Sequence, residues 1–195
     1  MLLRRCGTDA LLVEVDSLTE VAAVRAALQD LDGIEELVPA ARTVLVKGEL
    51  QQVRRALEGI DLTRAPATHP REMTIPVTYD GPDLALVAET AGITEDEVVS
   101  LHTGATYEVA FCGFAPGFGY LTGLPQNLQQ PRLDSPRTKV PQGSVGIAGE
   151  FTAAYPRATP GGWRLIGRTE ITLFDPKAET PALLQPGDQV RFVTA

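Results

Sequence analysis

Phe111-Cys112-Gly113-Phe114-Ala115-Pro116-Gly117-Phe118-Gly119-Tyr120-Leu121 opens a stretch that decides the fold. It runs on through Pro131-Arg132-Leu133-Asp134-Ser135-Pro136-Arg137-Thr138-Lys139-Val140-Pro141 to Gly161-Gly162-Trp163-Arg164-Leu165-Ile166-Gly167-Arg168-Thr169. Ten of the chain's 18 glycines and seven of its 15 prolines fall within 111–169, which leaves little room for a helix between turns. From residue 106 onward, short apolar segments at 107–111, 145–148, 164–166, 171–174 and 189–193 alternate with Gly/Pro turns. That pattern predicts a closed or sandwiched β domain. Glycine lets a backbone approach a ligand, and proline fixes the loops that do so. Six Arg or Lys residues against Asp134 and Glu150 make 128–168 locally basic, so the stretch also reads as a rigid, loop-built anion site.

Upstream, helices take over. Residues 84–91 form a short helix closed by Gly92, and Thr94-Glu95-Asp96-Glu97 is a capping box whose helix reaches about His102. Nearer the start, 11–15 reads as a strand. Ser17-Leu18-Thr19-Glu20 opens a helix carrying Leu18, Val21, Val24, Leu28 and Leu31 at helical spacing, with Gly33 after its end. Strands at 34–38 and 43–46 flank a turn, a second helix spans 49–58, and 73–79 is a further strand beyond a loose stretch at 63–71. The order β-α-β-β-α-β predicts a small ferredoxin-like sandwich. The chain is therefore expected to be α+β. An α/β N-terminal domain would cover 1–80 and a β domain with short helices at its start would cover 81–195.

The totals bound the function. The 195 residues are 44% hydrophobic and 22% charged, the composition of a soluble globular protein with a real core. A net charge of −8 argues against nucleic acid as the main partner, and a basic patch on an acidic chain points to a small anion. Cys6 and Cys112 make no disulfide framework and no CxxC. With no secretory signal and no membrane-length apolar run, the expected setting is the cytoplasm.

The common motifs are missing. There is no P-loop, and Gly117-Phe118-Gly119 with Gly123 fails the dinucleotide-binding spacing. His69 and His102 have no partner at metal-ligand spacing. Cys112 reads first as a small buried hydrophobe. Ser144 does not sit in a nucleophile elbow. His102, at the end of its helix, is either a favourable contact with the helix dipole or a general base. Arg132, Arg137, Lys139 and Arg168 either line a site or solvate turns.

Residues 113–125, 131–149 and 160–169 closely resemble the family called allophanate hydrolase subunit 1. The motifs are Gly113-Phe114-x-Pro116-Gly117-Phe118-x-Tyr120-Leu121, Pro136-Arg137-x-x-Val140-Pro141-x-Gly143-Ser144-Val145-Gly146 and Pro160-Gly161-Gly162-Trp163-x-Leu165-Ile166-Gly167-Arg168-Thr169. The family takes in a component of the bacterial 5-oxoprolinase complex and the sporulation-kinase inhibitor KipI. At Thr152-Ala153, alanine stands where the resemblance leads one to expect glycine. The resemblance implies a cyclophilin-like β-barrel after the N-terminal domain. It also implies a companion of the subunit 2 type, a third LamB-type subunit, and ATP-dependent opening of 5-oxoproline to glutamate with magnesium accompanying the nucleotide. Matching positions imply that His102 handles a proton and that Arg132, Arg137, Lys139 and Arg168 hold carboxylate or phosphate. Phe114, Pro116, Gly117, Tyr120, Gly161 and Gly162 would shape the wall. The same family leaves two rival functions, inhibition of a sensor histidine kinase and a part in allophanate or urea hydrolysis.

Overall fold

The computed structural model describes residues 1–63 and 70–195. The chain divides into two compact units, Met1–His69 and Pro70–Ala195.

In the first unit, strands β1 (Leu2–Cys6) and β2 (Ala10–Glu14) precede helix α1 (Leu18–Leu28). Strands β3 (Ile34–Pro39) and β4 (Thr43–Gly48) and helix α2 (Leu50–Leu57) follow. The sheet order is β1-β2-β4-β3, antiparallel throughout. Alternate residues Leu11, Val13 and Val15, with Val44 and Val46, turn one face of the central strands inward. That face meets Val21, Val24 and Leu28 of α1 and Val53 and Leu57 of α2, each set at helical spacing. Each such side chain contributes about 1.5–3 kcal/mol by leaving water. Helix α1 starts where Ser17 Oγ accepts the Glu20 N–H at 3.2 Å, while the Glu20 carboxylate reaches back to the N–H of Asp16 rather than of Ser17.

The α+β class holds, but the ferredoxin-like chain order does not. The segment expected as this sheet's last strand is β5 (Glu72–Val77), and it runs parallel to a C-terminal strand of the other unit over six paired positions. The fourth place in the first sheet goes to β1, an exposed edge strand with two arginines and little apolar patterning. The boundary expected at 80/81 accordingly falls before β5. Part of the loose stretch at 63–71, residues 64–69, lies outside the described residues.

The second unit continues from β5 into helices α3 (Leu84–Ala91) and α4 (Glu95–Gly104). Eight strands then follow: β6 (Tyr107–Cys112), β7 (Gly119–Thr122), β8 (Arg137–Val140), β9 (Ser144–Ala148), β10 (Phe151–Ala154), β11 (Thr159–Gly161), β12 (Arg164–Arg168) and β13 (Gln189–Thr194). Seven strands form one sheet in the order β12-β9-β10-β7-β6-β13-β5. Its two edges nearly meet. Just past β5, Thr78 exchanges both backbone hydrogen bonds with Arg168 at the end of β12, at 2.8 and 2.9 Å. A nearly closed sheet leaves little unpaired edge. Ile75, Val77, Tyr107, Leu121, Ile147, Ile166 and Phe192 fill its interior together with Val87 and Val98 from the two helices. Strands β8 and β11 pair with each other as a separate ribbon.

Helix α4 carries a complete capping box, with Thr94 Oγ1 accepting the Glu97 N–H and Glu97 accepting the Thr94 N–H. The strand expected at 171–174 is absent. Leu173 O accepts the Leu183 N–H and Phe174 bridges only to Ala182, so this is a folded-back loop that drops Leu173 into the core. Among the described residues, no helix is long and apolar enough to cross a membrane.

Candidate functional site

The glycine-proline stretch builds two clefts on the second unit, and most of the expected site residues divide between them. Arg137, Lys139 and Arg168 line a cleft of about 340 Å³ with Asp80, Ser144 and Gln142. Phe114, Tyr120, Arg132, Gly161 and Gly162 line a smaller one of about 130 Å³ with Phe118, Tyr155 and Trp163.

In the first cleft two of the three cations are already committed. Arg137 Nη2 donates to Asp83 Oδ1 at 2.7 Å, and the second Asp83 oxygen accepts the Leu165 N–H at 2.7 Å. Asp83 precedes α3 at the capping position, yet its carboxylate does not cap the helix because both oxygens are used here. Arg168 pairs with Asp80 at 2.9 Å and Glu170 at 2.8 Å, both exposed contacts that solvent screens. The side chain of Lys139, on β8, makes no hydrogen bond or ion pair among the described residues. It is the cation left to meet an incoming anion.

The second cleft has an aromatic floor. Phe118, Tyr155 and Trp163 are almost wholly buried, and Phe118 meets the other two edge to face at 5.2 and 5.6 Å. Tyr120 and exposed Phe114 form the rim, and Arg132 stands there without an acidic partner among the described residues. Burial pushes the Tyr155 phenol up to about 12, and the Arg132 charge pulls against that shift. Burial raises Tyr120 as well, again opposed by Arg132. At Gly161 a Cβ would stand 2.7 Å from Tyr155 Oη, so only glycine fits this wall. Phe114 is the one non-glycine described with positive φ, at 67°.

Three of the expected residues lie outside both clefts. Pro116 and Gly117 line neither cleft. Pro116 is exposed in the turn after β6, and Gly117 admits Phe174, whose Cβ would lie 2.7 Å from any Cβ at 117. Gly117 is therefore a packing residue. His102 is fully buried and lines neither cleft. Its Nδ1 lies 2.7 Å from Tyr79 Oη, its Nε2 lies 3.0 Å from Thr152 Oγ1, and Thr152 donates onward to Gly146 O. Because Thr152 spends its proton on Gly146, His102 carries its own on Nε2 and accepts from Tyr79 at Nδ1. Burial pushes the imidazole down to about 3, so the ring is neutral and makes no charge–dipole contact with its helix. Phe192 covers it at a ring distance of 4.5 Å. Ala153 sits within β10, and its methyl packs among Phe118, Tyr155 and Trp163.

Tyr79, Asp80 and Asp83 escaped the sequence reading. Asp83 gave one usable signal, an Asp at a helix start. The others become neighbours of the site only once the sheet closes. Among the described residues, no group of three or more His, Cys, Asp or Glu is placed to hold a metal.

With this geometry in view, the comparisons are specific. Residues 1–184 match the family described as carboxyltransferase domain, subdomain C and D. The chain is 45% identical to the B subunit of 5-oxoprolinase from Escherichia coli O157:H7 over 85% of its own length and 80% of that protein's. It is 37% identical to the B subunit of 5-oxoprolinase from Bacillus subtilis (strain 168), over 92% and 83% respectively. A crystal structure of TTHA0988 superposes with a TM-score of 0.83 at 33% identity, covering 96% of this chain and 40% of that one. The chain thus spans most of the length of these two bacterial relatives but well under half of TTHA0988.

Proposed function

The chain belongs to the family of the carboxyltransferase domain, subdomain C and D, and from that premise we propose that it is the B subunit of an ATP-dependent 5-oxoprolinase. The observation that carries this reading is the likeness to two bacterial proteins of that name over more than four fifths of this chain. The protein works in the cytoplasm with a companion of the subunit 2 type and a LamB-type subunit, on a lactam that opens to glutamate. The nearly closed sheet supports a cyclophilin-like barrel for the second unit.

A lactam is a stable amide. The carbonyl oxygen attacks the γ-phosphorus of ATP and ADP leaves; water then adds at the activated carbon, the C–N bond breaks as the ring nitrogen takes a proton, and a second water splits the resulting acyl phosphate into carboxylate and phosphate. Such chemistry asks for fixed cations around phosphate. Lys139 supplies the uncommitted charge in the larger cleft, while Asp83 and Asp80 hold Arg137 and Arg168 in place around it. Asp80 is tied to Arg168, so this cleft offers magnesium no free carboxylate and the ion travels with the nucleotide. His102, neutral and enclosed, positions α4 against β10 and moves no proton.

Co-expression with the companion subunits, followed by ATP hydrolysis assayed with 5-oxoproline and with allophanate, tests the reading. Hydrolysis that rises with 5-oxoproline supports it. Hydrolysis that ignores 5-oxoproline overturns it.

A further inference from the structure

The smaller cleft is built unlike the larger one. Its floor is three buried aromatic rings, no acid lines it, and its single cation is Arg132. A guanidinium with no ion pair among the described residues, beside an apolar floor, matches a ligand with one flat apolar body and one planar anionic group. The volume, about 130 Å³, is that of roughly four waters. It admits one small ring and excludes a nucleotide. The wall at Gly161 keeps it that size, since Tyr155 Oη occupies the space a side chain would need.

Phe114 is the second, independent sign. The residue is 59% exposed although its ring stands edge to face with Phe118 at 5.2 Å and Tyr155 at 6.3 Å. Its backbone is held in the left-handed region by a turn in which Gly113 N–H donates to Phe118 O and Phe118 N–H donates to Ala115 O. That placement leaves most of the side chain outside the core. A ligand on the aromatic floor would give the exposed ring something to cover.

We propose that this cleft binds a small ring bearing a carboxylate, with Arg132 gripping the carboxylate and Phe118, Tyr155 and Trp163 receiving the ring under Phe114. If the chain is a 5-oxoprolinase component, the ring is 5-oxoproline, and that identification rests on the function proposed above. The two clefts then divide the work, the lysine-bearing one taking phosphate and the aromatic one taking the substrate's carboxylate.

Calorimetric titration of the full chain, alone and in the assembled complex, tests this with 5-oxoproline, 2-pyrrolidinone, pyrrole-2-carboxylate and ATP. The variants are Arg132→Gln and Arg132→Lys, and circular dichroism checks their folding. The expected result is that 5-oxoproline binds, that 2-pyrrolidinone, lacking the carboxylate, binds about 10- to 100-fold more weakly, and that Arg132→Gln loses a similar factor while Arg132→Lys recovers part of it. Binding of pyrrole-2-carboxylate that depends on Arg132, without binding of 5-oxoproline, keeps the cleft and removes the enzyme assignment. Normal 5-oxoproline-dependent ATP hydrolysis in Arg132→Gln keeps the enzyme and removes the cleft. Equal affinity for the two lactams, competition by ATP, or no binding of any ring carboxylate in either preparation overturns the proposal.

Discussion

Arg137 Nη2 stands 2.7 Å from Asp83 Oδ1, tying the ribbon strand β8 to the residue that starts α3. The Asp83 side chain is only 8% exposed, and its other oxygen holds the Leu165 N–H. An expected ligand cation is thus also a structural one. Asp83→Ala strands Arg137 and leaves the Leu165 N–H without its acceptor, so it should lower stability by about 2–3 kcal/mol in urea denaturation. Asp83→Asn keeps the shape and an acceptor oxygen and should cost less. Equal stability of Asp83→Ala and the parent chain would show the pair to be inconsequential.

The enclosed imidazole makes stability depend on pH in a defined direction. Unfolded, His102 titrates near 6.5. Folded, burial depresses it to about 3. Between these values the unfolded chain binds the extra proton, so the contribution is complete above 6.5 and is lost as pH falls toward 3. From pH 6.5 to 5 the loss should approach about 2 kcal/mol. Replacing His102 by Ala should remove this component of the slope. It should also cost about 3–4 kcal/mol at pH 7.5, because it opens a cavity and strands Tyr79 Oη, while Thr152 keeps its bond to Gly146 O. Denaturation midpoints at the two pH values, parent against variant, decide it. An unchanged slope would mean that another group governs acid sensitivity.

The same residue shows where sequence reading reaches its limit. Helix α3 was legible to the residue because Gly92 punctuates its end, and α4 because Thr94 and Glu97 form a capping box. Those signals are local. Strand β1 was missed because an exposed edge strand needs no apolar alternation, and β5 was assigned to the wrong sheet because nothing in Met73–Val77 names the partner it pairs with at Gln189–Thr194. His102 was placed correctly on its helix, but its burial depends on Thr152, fifty positions away, and on Phe192. Likewise the run of cations at Arg132, Arg137 and Lys139 was plain in the sequence. Only the nearly closed sheet reveals that Arg137 and Arg168 carry acidic partners while, among the described residues, Arg132 and Lys139 do not.

Lys139 offers the cleanest test of the larger cleft. It is exposed and uncommitted among the described residues, so Lys139→Ala should shift stability by less than about 0.5 kcal/mol. In the assembled complex the same change should raise the KM for ATP about tenfold through loss of one charge-assisted contact. Arg168→Ala should show a smaller effect on KM, since Asp80 and Glu170 already offset that charge. Steady-state kinetics at varied ATP separates the two. Identical kinetics for Lys139→Ala and the parent would place the phosphate elsewhere.

Adjacent glycines make a matched pair for the smaller cleft. A Cβ at Gly161 would meet Tyr155 Oη at 2.7 Å and Val140 Cγ2 at 3.1 Å, and both side chains are buried. Displacing either buried side chain disturbs packing, so Gly161→Ala should cost about 1–3 kcal/mol and narrow the cleft. At Gly162 the nearest atoms belong to Pro136 at 3.6–3.7 Å, which is ordinary contact. Gly162→Ala should therefore leave the melting temperature within a few degrees of the parent, because its cost is under about 0.5 kcal/mol. Thermal melts of the two variants side by side read the difference. Equal melting temperatures would mean that Tyr155 can swing aside, and the cleft would then not be the rigid, ring-sized receptor that its walls describe.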